Sequence, residues 1–84
     1  MNIVIMDASV VRMKATNPLE EGLFLVDLDK DEWCKNYQNA KKYEKPEDAI
    51  TIAKQIAPNL HKPPRIFQVQ QNGPNTNITE FKYQ

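Results

Sequence analysis

Apolar residues recur with a helical period in one stretch of the chain, Tyr43 to Leu60, YEKPEDAITIAKQIAPNL. Ala49, Ile52, Ala53, Ile56 and Ala57 stand at i, i+3, i+4, i+7 and i+8 and therefore share one face of an α-helix. Pro46 suits the first helical position, where its missing N–H would be unpaired in any case. Glu47 and Asp48 place negative charge on the positive end of the helix dipole. Pro58 marks the stop. The apolar face is narrow and rich in alanine, so a broad, flat surface is expected close beneath it, and the other apolar runs have the period of strands.

Asn2 to Met6 is apolar on both alternating faces, Ile3 and Ile5 on one and Val4 and Met6 on the other, as in a strand covered on both sides. Asp7-Ala8-Ser9 reads as a turn. Val10 to Ala15 then alternates, with Val11, Met13 and Ala15 opposite Arg12 and Lys14, which predicts a strand with one wet side forming a hairpin with the first. After Asn17-Pro18, Glu20-Glu21 and Gly22 comes LFLVDLD, the strongest strand pattern in the chain and expected to be central. Leu23 and Leu25 are assigned to one of its faces, and Phe24, Val26 and Leu28 to the other. Asp29 to Gln38 is open between a short helix, because Trp33 and Tyr37 are four apart, and an irregular loop. Ala40 to Tyr43 reads as a brief extended segment. His61-Lys62-Pro63-Pro64 is extended because prolines and the residues before them avoid helical angles. Ile66 to Gln70 alternates, Phe67 and Val69 against Gln68 and Gln70, as an edge or one-sided strand; Asn72-Gly73-Pro74-Asn75 is a turn, and Thr79 to Tyr83, with Phe81 inward, a last strand pairing back.

These elements predict an α+β domain, a mainly antiparallel sheet of four to five strands with one principal helix, 46–57, on one face. Ala49, Ile52, Ala53 and Ile56 are expected to be buried against Leu25, Val11 and Val69. With 84 residues the chain is read as one domain, 1–84. A domain of this size buries roughly 60 to 65% of the surface its unfolded chain exposes, so its core is small, and a monomer and a homodimer are both open.

Charge changes the picture more than composition does. Eleven basic and eleven acidic residues cancel, which argues against a general polyanion binder. The balance is uneven along the chain. Residues 1–32 carry seven acids (Asp7, Glu20, Glu21, Asp27, Asp29, Asp31, Glu32) against three bases (Arg12, Lys14, Lys30), a net of −4, and the remainder is +4. A single cysteine, Cys34, makes no internal disulfide, and the apolar amino terminus lacks a basic region and is interrupted by Asp7, so a cytoplasmic protein without a membrane span is expected.

The chemistry is sparse. The run Asp27-Leu28-Asp29-Lys30-Asp31-Glu32 opens like a calcium loop, but Glu32 stands where the sharp turn needs glycine and Gln38 where a glutamate should close the site. One Cys and one His, Cys34 and His61, are too few for a zinc site, nothing flanking them suggests an activated nucleophile, and two glycines make no phosphate loop. No cofactor, no metal and no catalysis are expected. Two binding readings remain. In the first, Asp27, Asp29, Asp31 and Glu32 form an acidic rim around Trp33 that docks a protein partner; its bland counterpart is a solvated acidic loop with Trp33 buried over the sheet. In the second, Lys35, Lys41, Lys42 and Lys45, interleaved with Tyr37 and Tyr43, make a weak nucleic-acid site; its counterpart is a solvated lysine face with the tyrosines half buried.

At residues 39–70, NAKKYEKPEDAITIAKQIAP followed by the strand RIFQVQ, the sequence resembles small uncharacterised proteins of phages and prophages of Gram-positive bacteria. Ala40, Lys41-Lys42, Tyr43, Glu47-Asp48-Ala49 and Ala53 carry the resemblance, and Lys45 departs from it where a serine or threonine cap would be expected. The resemblance implies an amino-terminal hairpin or meander joined through the helix to a final strand, and a non-enzymatic accessory protein, one that modulates a host protein. It transfers no catalytic residue.

Overall fold

A computed structural model of the chain describes residues 2–7 and 22–83. The predicted strand at Val10 to Ala15, most of the turn before it, and the contact of the helix with Val11 lie outside the described residues. Within them the α+β expectation holds: five antiparallel strands form one sheet, ordered β3-β2-β1-β4-β5, with one α-helix packed on it. The strands are β1 (Ile3–Asp7), β2 (Leu23–Asp27), β3 (Glu32–Cys34), β4 (Arg65–Asn72) and β5 (Asn75–Phe81), and the helix is α1 (Pro46–Ile56). No helix among the described residues is long and apolar enough to cross a membrane.

The two faces of the sheet hold separate cores. Ile3, Ile5, Leu25 and Ile66 point to the helix side and pack with Ala49, Ala53, Ile56 and Tyr43. Val4, Met6, Phe24, Phe67 and Val69 point the other way, with Ala40 buried among them and Cys34, Tyr37 and Ile78 at the margin. Cross-strand register explains the sorting: Val4 pairs with Phe67 and Ile5 with Ile66, while Met6 pairs with Phe24. Val69 therefore lies on the face away from α1, which corrects the expectation that it supports the helix. Its alternation with Gln68 assigned it to a buried side without telling which of two buried sides that was. Ile66, on the opposite parity, is the β4 residue beneath α1.

Helix α1 begins as its sequence directs, with Pro46 in the first turn, Glu47 and Asp48 beside it, and Lys54 in the last. Lys45 precedes it in extended conformation and makes no side-chain cap. Ala49 and Ala53 are wholly buried, Ile56 nearly so, and Ile52 only in part. The alanines let the helix axis approach β1 and β4, and a 3-10 turn at Ala57–Asn59 ends it.

Strand β2 is interior, though the middle strand of the sheet is β1. The register of β2 against β3 shifts between Leu25 and Asp27, so Val26 is an extra residue on its strand. That shift reverses the parity beyond it. Leu28, assigned by strict alternation to the face of Phe24, packs instead with the helix-side core. Strand β4 keeps the expected alternation, with Phe67 and Val69 buried, Gln68 half buried and Gln70 exposed, but of its two readings the edge one fails, because it lies between β1 and β5. Both of its faces are apolar once Ile66 is counted with Phe67 and Val69. The β4–β5 hairpin closes on Asn72 and Asn75 around Gly73-Pro74, and Gly73 has φ +59, a sign that proline at the next position reverses, as in a type II′ turn.

The segment after β3 crosses the sheet. Tyr37 and Ala40 belong to the core away from α1, and Tyr43 to the core beneath it. Between them Lys41 N–H donates to the Leu25 carbonyl at 3.0 Å, and Tyr43 exchanges backbone bonds with Ile3 at 2.8 and 3.2 Å. Residues 41–43 thus fill the gap where β1 and β2 diverge beyond the Met6–Phe24 pair.

Replacing Ala53 by leucine adds volume where helix and sheet are in contact, and should cost about 1–3 kcal/mol. The same change at the exposed Gln55 should alter stability by less than about 0.5 kcal/mol. Urea unfolding of the two variants against the parent checks the difference.

On the far face Arg65 stacks over the Phe67 ring, 4.9 Å from its centre, and donates from Nε and Nη2 to the two Glu80 oxygens at 3.0 Å each. The Arg65 hydrogen bonds hold the Glu80 carboxyl below its ordinary value of 4.5, against the opposing effect of burial. The folded-state pKa is depressed, so this contribution to stability is present above about pH 4.5 and is lost as pH falls through the folded value. Glu80→Gln should flatten that part of the acid limb in a stability-against-pH series measured by denaturant unfolding.

Candidate functional site

The acidic run folds into a tight hairpin. Asp31 N–H donates to the Leu28 carbonyl at 3.2 Å, and Asp27 Oδ1 accepts from Lys30 N–H at 3.2 Å, so the turn is closed by backbone and side chain together. Asp31 has φ +51, a left-handed conformation that aspartate tolerates better than most side chains. Its carboxylate then reaches forward, and Trp33 Nε1–H donates to Asp31 Oδ1 at 2.9 Å. Residues 29–38, expected as a short helix or an irregular loop, contain instead the turn, strand β3 and a 3-10 turn at Tyr37–Asn39. Trp33 and Tyr37, four apart, do not share a helical face: Trp33 packs on the helix side of the sheet and Tyr37 on the other.

Trp33 is neither fully exposed nor fully buried. Its strand partner is Leu25, which seats it against the helix-side core, and its remaining surface lines an open cleft of about 470 Å³. Among the described residues three parts of the chain converge there: Asp7 at the end of β1; Leu28, Asp31 and Trp33 from the hairpin; and Ile56, Asn59 and Leu60 where α1 ends. The cleft joins apolar walls to two carboxylates and to the negative end of the helix dipole. Its chemistry suits a positively charged group carried on an apolar stem.

Of the predicted partner-binding residues, Asp31 and Trp33 line this cleft, and Asp27, Asp29 and Glu32 belong to the same hairpin. Asp29, Asp31 and Glu32 are exposed, and Asp27 is half buried. Asp7, Leu28, Ile56, Asn59 and Leu60 were not singled out as site residues. They are scattered along the chain, and only the closure of the fold brings them together. Among the described residues no three His, Cys, Asp or Glu side chains gather as metal ligands.

The lysine region is arranged differently from the stacking surface proposed for it. Lys35, Lys41 and Lys45 are exposed, Tyr37 is half buried and Tyr43 buried. Lys42 turns inward, donating to the carbonyls of Tyr37, Gln38 and Ala40, the last two at 3.1 and 2.8 Å, beside the Tyr37 ring at 5.9 Å. Burial draws its pKa below the ordinary lysine value, with the charge Cys34 would carry on ionising acting in the opposite sense. Cys34 itself donates from Sγ to the Asn36 carbonyl at 3.0 Å, and Tyr37 Oη donates to Gln71 Oε1 at 3.2 Å. Lys42 is thus a clasp on the 3-10 turn. Comparison with protein-family models, curated proteins and solved structures finds no match to this chain.

Lys42→Met removes the ammonium that holds three carbonyls and should cost about 1–3 kcal/mol in denaturant unfolding. Lys45→Met, at an exposed side chain with no cap bond, should lie within about 0.5 kcal/mol of the parent.

Proposed function

We propose that this is a non-enzymatic protein-binding module whose cleft, between the β2–β3 hairpin and the end of α1, receives a basic side chain of a protein partner. The observation that carries the reading is Trp33. Its indole is half buried, fixed by Asp31, and set in a cleft of mixed acidic and apolar lining. Tryptophan in such a setting supplies a rigid desolvated contact, its face attracts a cation, and the exposed Asp29 and Glu32 steer an oppositely charged surface toward it. The resemblance to small phage and prophage proteins extends the proposal to an accessory protein acting in the bacterial cytoplasm on a host protein. The protein reading is favoured over a nucleic-acid one by the lysine region, where Lys42 is engaged by carbonyls and Tyr43 is buried.

Capture from a lysate of a Gram-positive bacterium, with the retained protein identified by mass, tests the proposal. The parent should retain a partner that salt releases, and Asp29→Lys with Glu32→Lys should slow association about tenfold while leaving the fold intact. Trp33→Ala should weaken binding by on the order of 2 kcal/mol; because the ring also packs on the core, its melting temperature should fall. Retention of the same partner by all variants would place the site elsewhere. Tight, steeply salt-dependent binding of DNA or RNA in gel shifts would replace the reading with the nucleic-acid one.

A further inference from the structure

Among the described residues, strand β5 ends the sheet and β4 alone pairs with it. The pairing runs without a shift from Ile66–Phe81 to Asn72–Asn75. A two-residue turn closes on a hydrogen-bonded pair, and in an antiparallel ladder such pairs alternate with non-bonded ones. The N–H and C=O groups of Asn75, Asn77, Thr79 and Phe81 therefore face β4. Those of Thr76, Ile78 and Glu80 face outward. Edges of natural sheets are commonly blunted by charge, proline, a bulge or shortness. The opposite edge, β3, has three residues and follows the left-handed Asp31. Strand β5 has seven residues, and from Asn75 to Thr79 it carries no charge, no proline and no bulge.

We propose that β5 pairs antiparallel with β5 of a second copy of this chain, about a twofold axis through Ile78, making one ten-stranded sheet. The strand is self-complementary in that register. Thr76 meets Glu80 of the second copy, Asn77 meets Thr79, Asn75 meets Phe81, and the outward groups of Thr76, Ile78 and Glu80 are satisfied on both sides. All seven residues overlap, and no like charges face each other. A register centred on Glu80 would oppose two carboxylates, and one centred on Thr76 would leave Phe81 beyond the overlap. Ile78, half exposed at the margin of the core beside Val69, is covered by its own copy on the axis. The pairing is isologous and consumes the long edge of each copy, so assembly stops at two.

Sedimentation velocity of the full chain, from micromolar to millimolar concentration, should show a monomer–dimer equilibrium. Ile78→Lys sets two ammonium groups on the axis, and Thr76→Pro removes an outward N–H while sparing the ladder to β4. Each should shift dimerisation at least tenfold toward monomer with the parent's circular dichroism. In a Cys34→Ser background, Ile78→Cys should give a disulfide dimer under copper phenanthroline, the two Cα atoms facing each other across the axis within disulfide reach. Thr76→Cys, offset along the strands from its own copy, should not. A chain monomeric at millimolar concentration would overturn the proposal, as would Ile78→Lys and Thr76→Pro proteins that dimerise like the parent. So would equal cross-linking at positions 76 and 78. Dimerisation lost in Trp33→Ala but kept in Ile78→Lys would assign the contact to the cleft instead.

Discussion

The fold depends on a strand that cannot tolerate water on either side. Ile3, Val4, Ile5 and Met6 are all wholly buried, so β1 must have a layer over each face as well as a strand along each edge. One helix can supply only one layer. The chain meets the second demand by taking residues 36–40 beneath the sheet, where Tyr37 and Ala40 join the core of Val4, Met6 and Phe24. It then returns to the helix side through residues 41–43, which bond to Leu25 and Ile3 on the way. The route places polar backbone inside the molecule at the one point where two diverging strands offer partners for it, which is the condition under which buried backbone is tolerated.

Other local arrangements follow from that route. The 3-10 turn at Tyr37–Asn39 leaves carbonyls at its end, and Lys42, arriving just after, neutralises them; a residue that sequence order places among surface lysines is recruited as a structural cation. Asn36 caps the same turn from its other end, accepting from Gln38 N–H. Small residues do the remainder. A side chain at Gly22 would stand 2.2 Å from the Asp7 carbonyl oxygen, so the entry to β2 requires glycine for the two strands to meet.

Legibility in the sequence followed the length and regularity of each pattern. Helix α1 was readable to within a residue because its apolar face, Pro46 and the following acids agree. Strands β1, β2 and β4 were readable because alternation survives in short runs, whereas β5, expected over 79–83, runs from Asn75 to Phe81, because Asn75-Thr76-Asn77 has no apolar residue to show the period. Strand β3 was not: in Glu-Trp-Cys three residues carry too little periodicity, and the Trp33–Tyr37 spacing mimicked a helix. Parity failed at one extra residue, Val26, which moved Leu28 to the other face, and Val69 was misplaced because a strand buried on both sides does not reveal which side faces the helix. At the cleft, the hairpin acids and Trp33 were visible as a cluster in sequence. Asp7, Asn59 and Leu60 were not, since their proximity is a property of the closed sheet and of where α1 ends.

The two proposed surfaces occupy opposite ends of the strand order. The cleft is built on β3, β2 and the end of β1, whereas the long edge is β5, with β4 intervening. Occupying one does not require the other to be free, so self-association through β5 would leave both clefts available, at the outer ends of a continuous sheet. A partner with a single basic anchor would then bind each copy independently. A partner carrying two such anchors, spaced to span the sheet, would meet the second cleft at the raised effective concentration of a tethered event, and its retention would depend on the dimer without any contact to β5. Charge favours the same arrangement: the acidic hairpins are held far apart in the pair, and the strands brought together are nearly uncharged, so assembly incurs little repulsion where the surfaces meet.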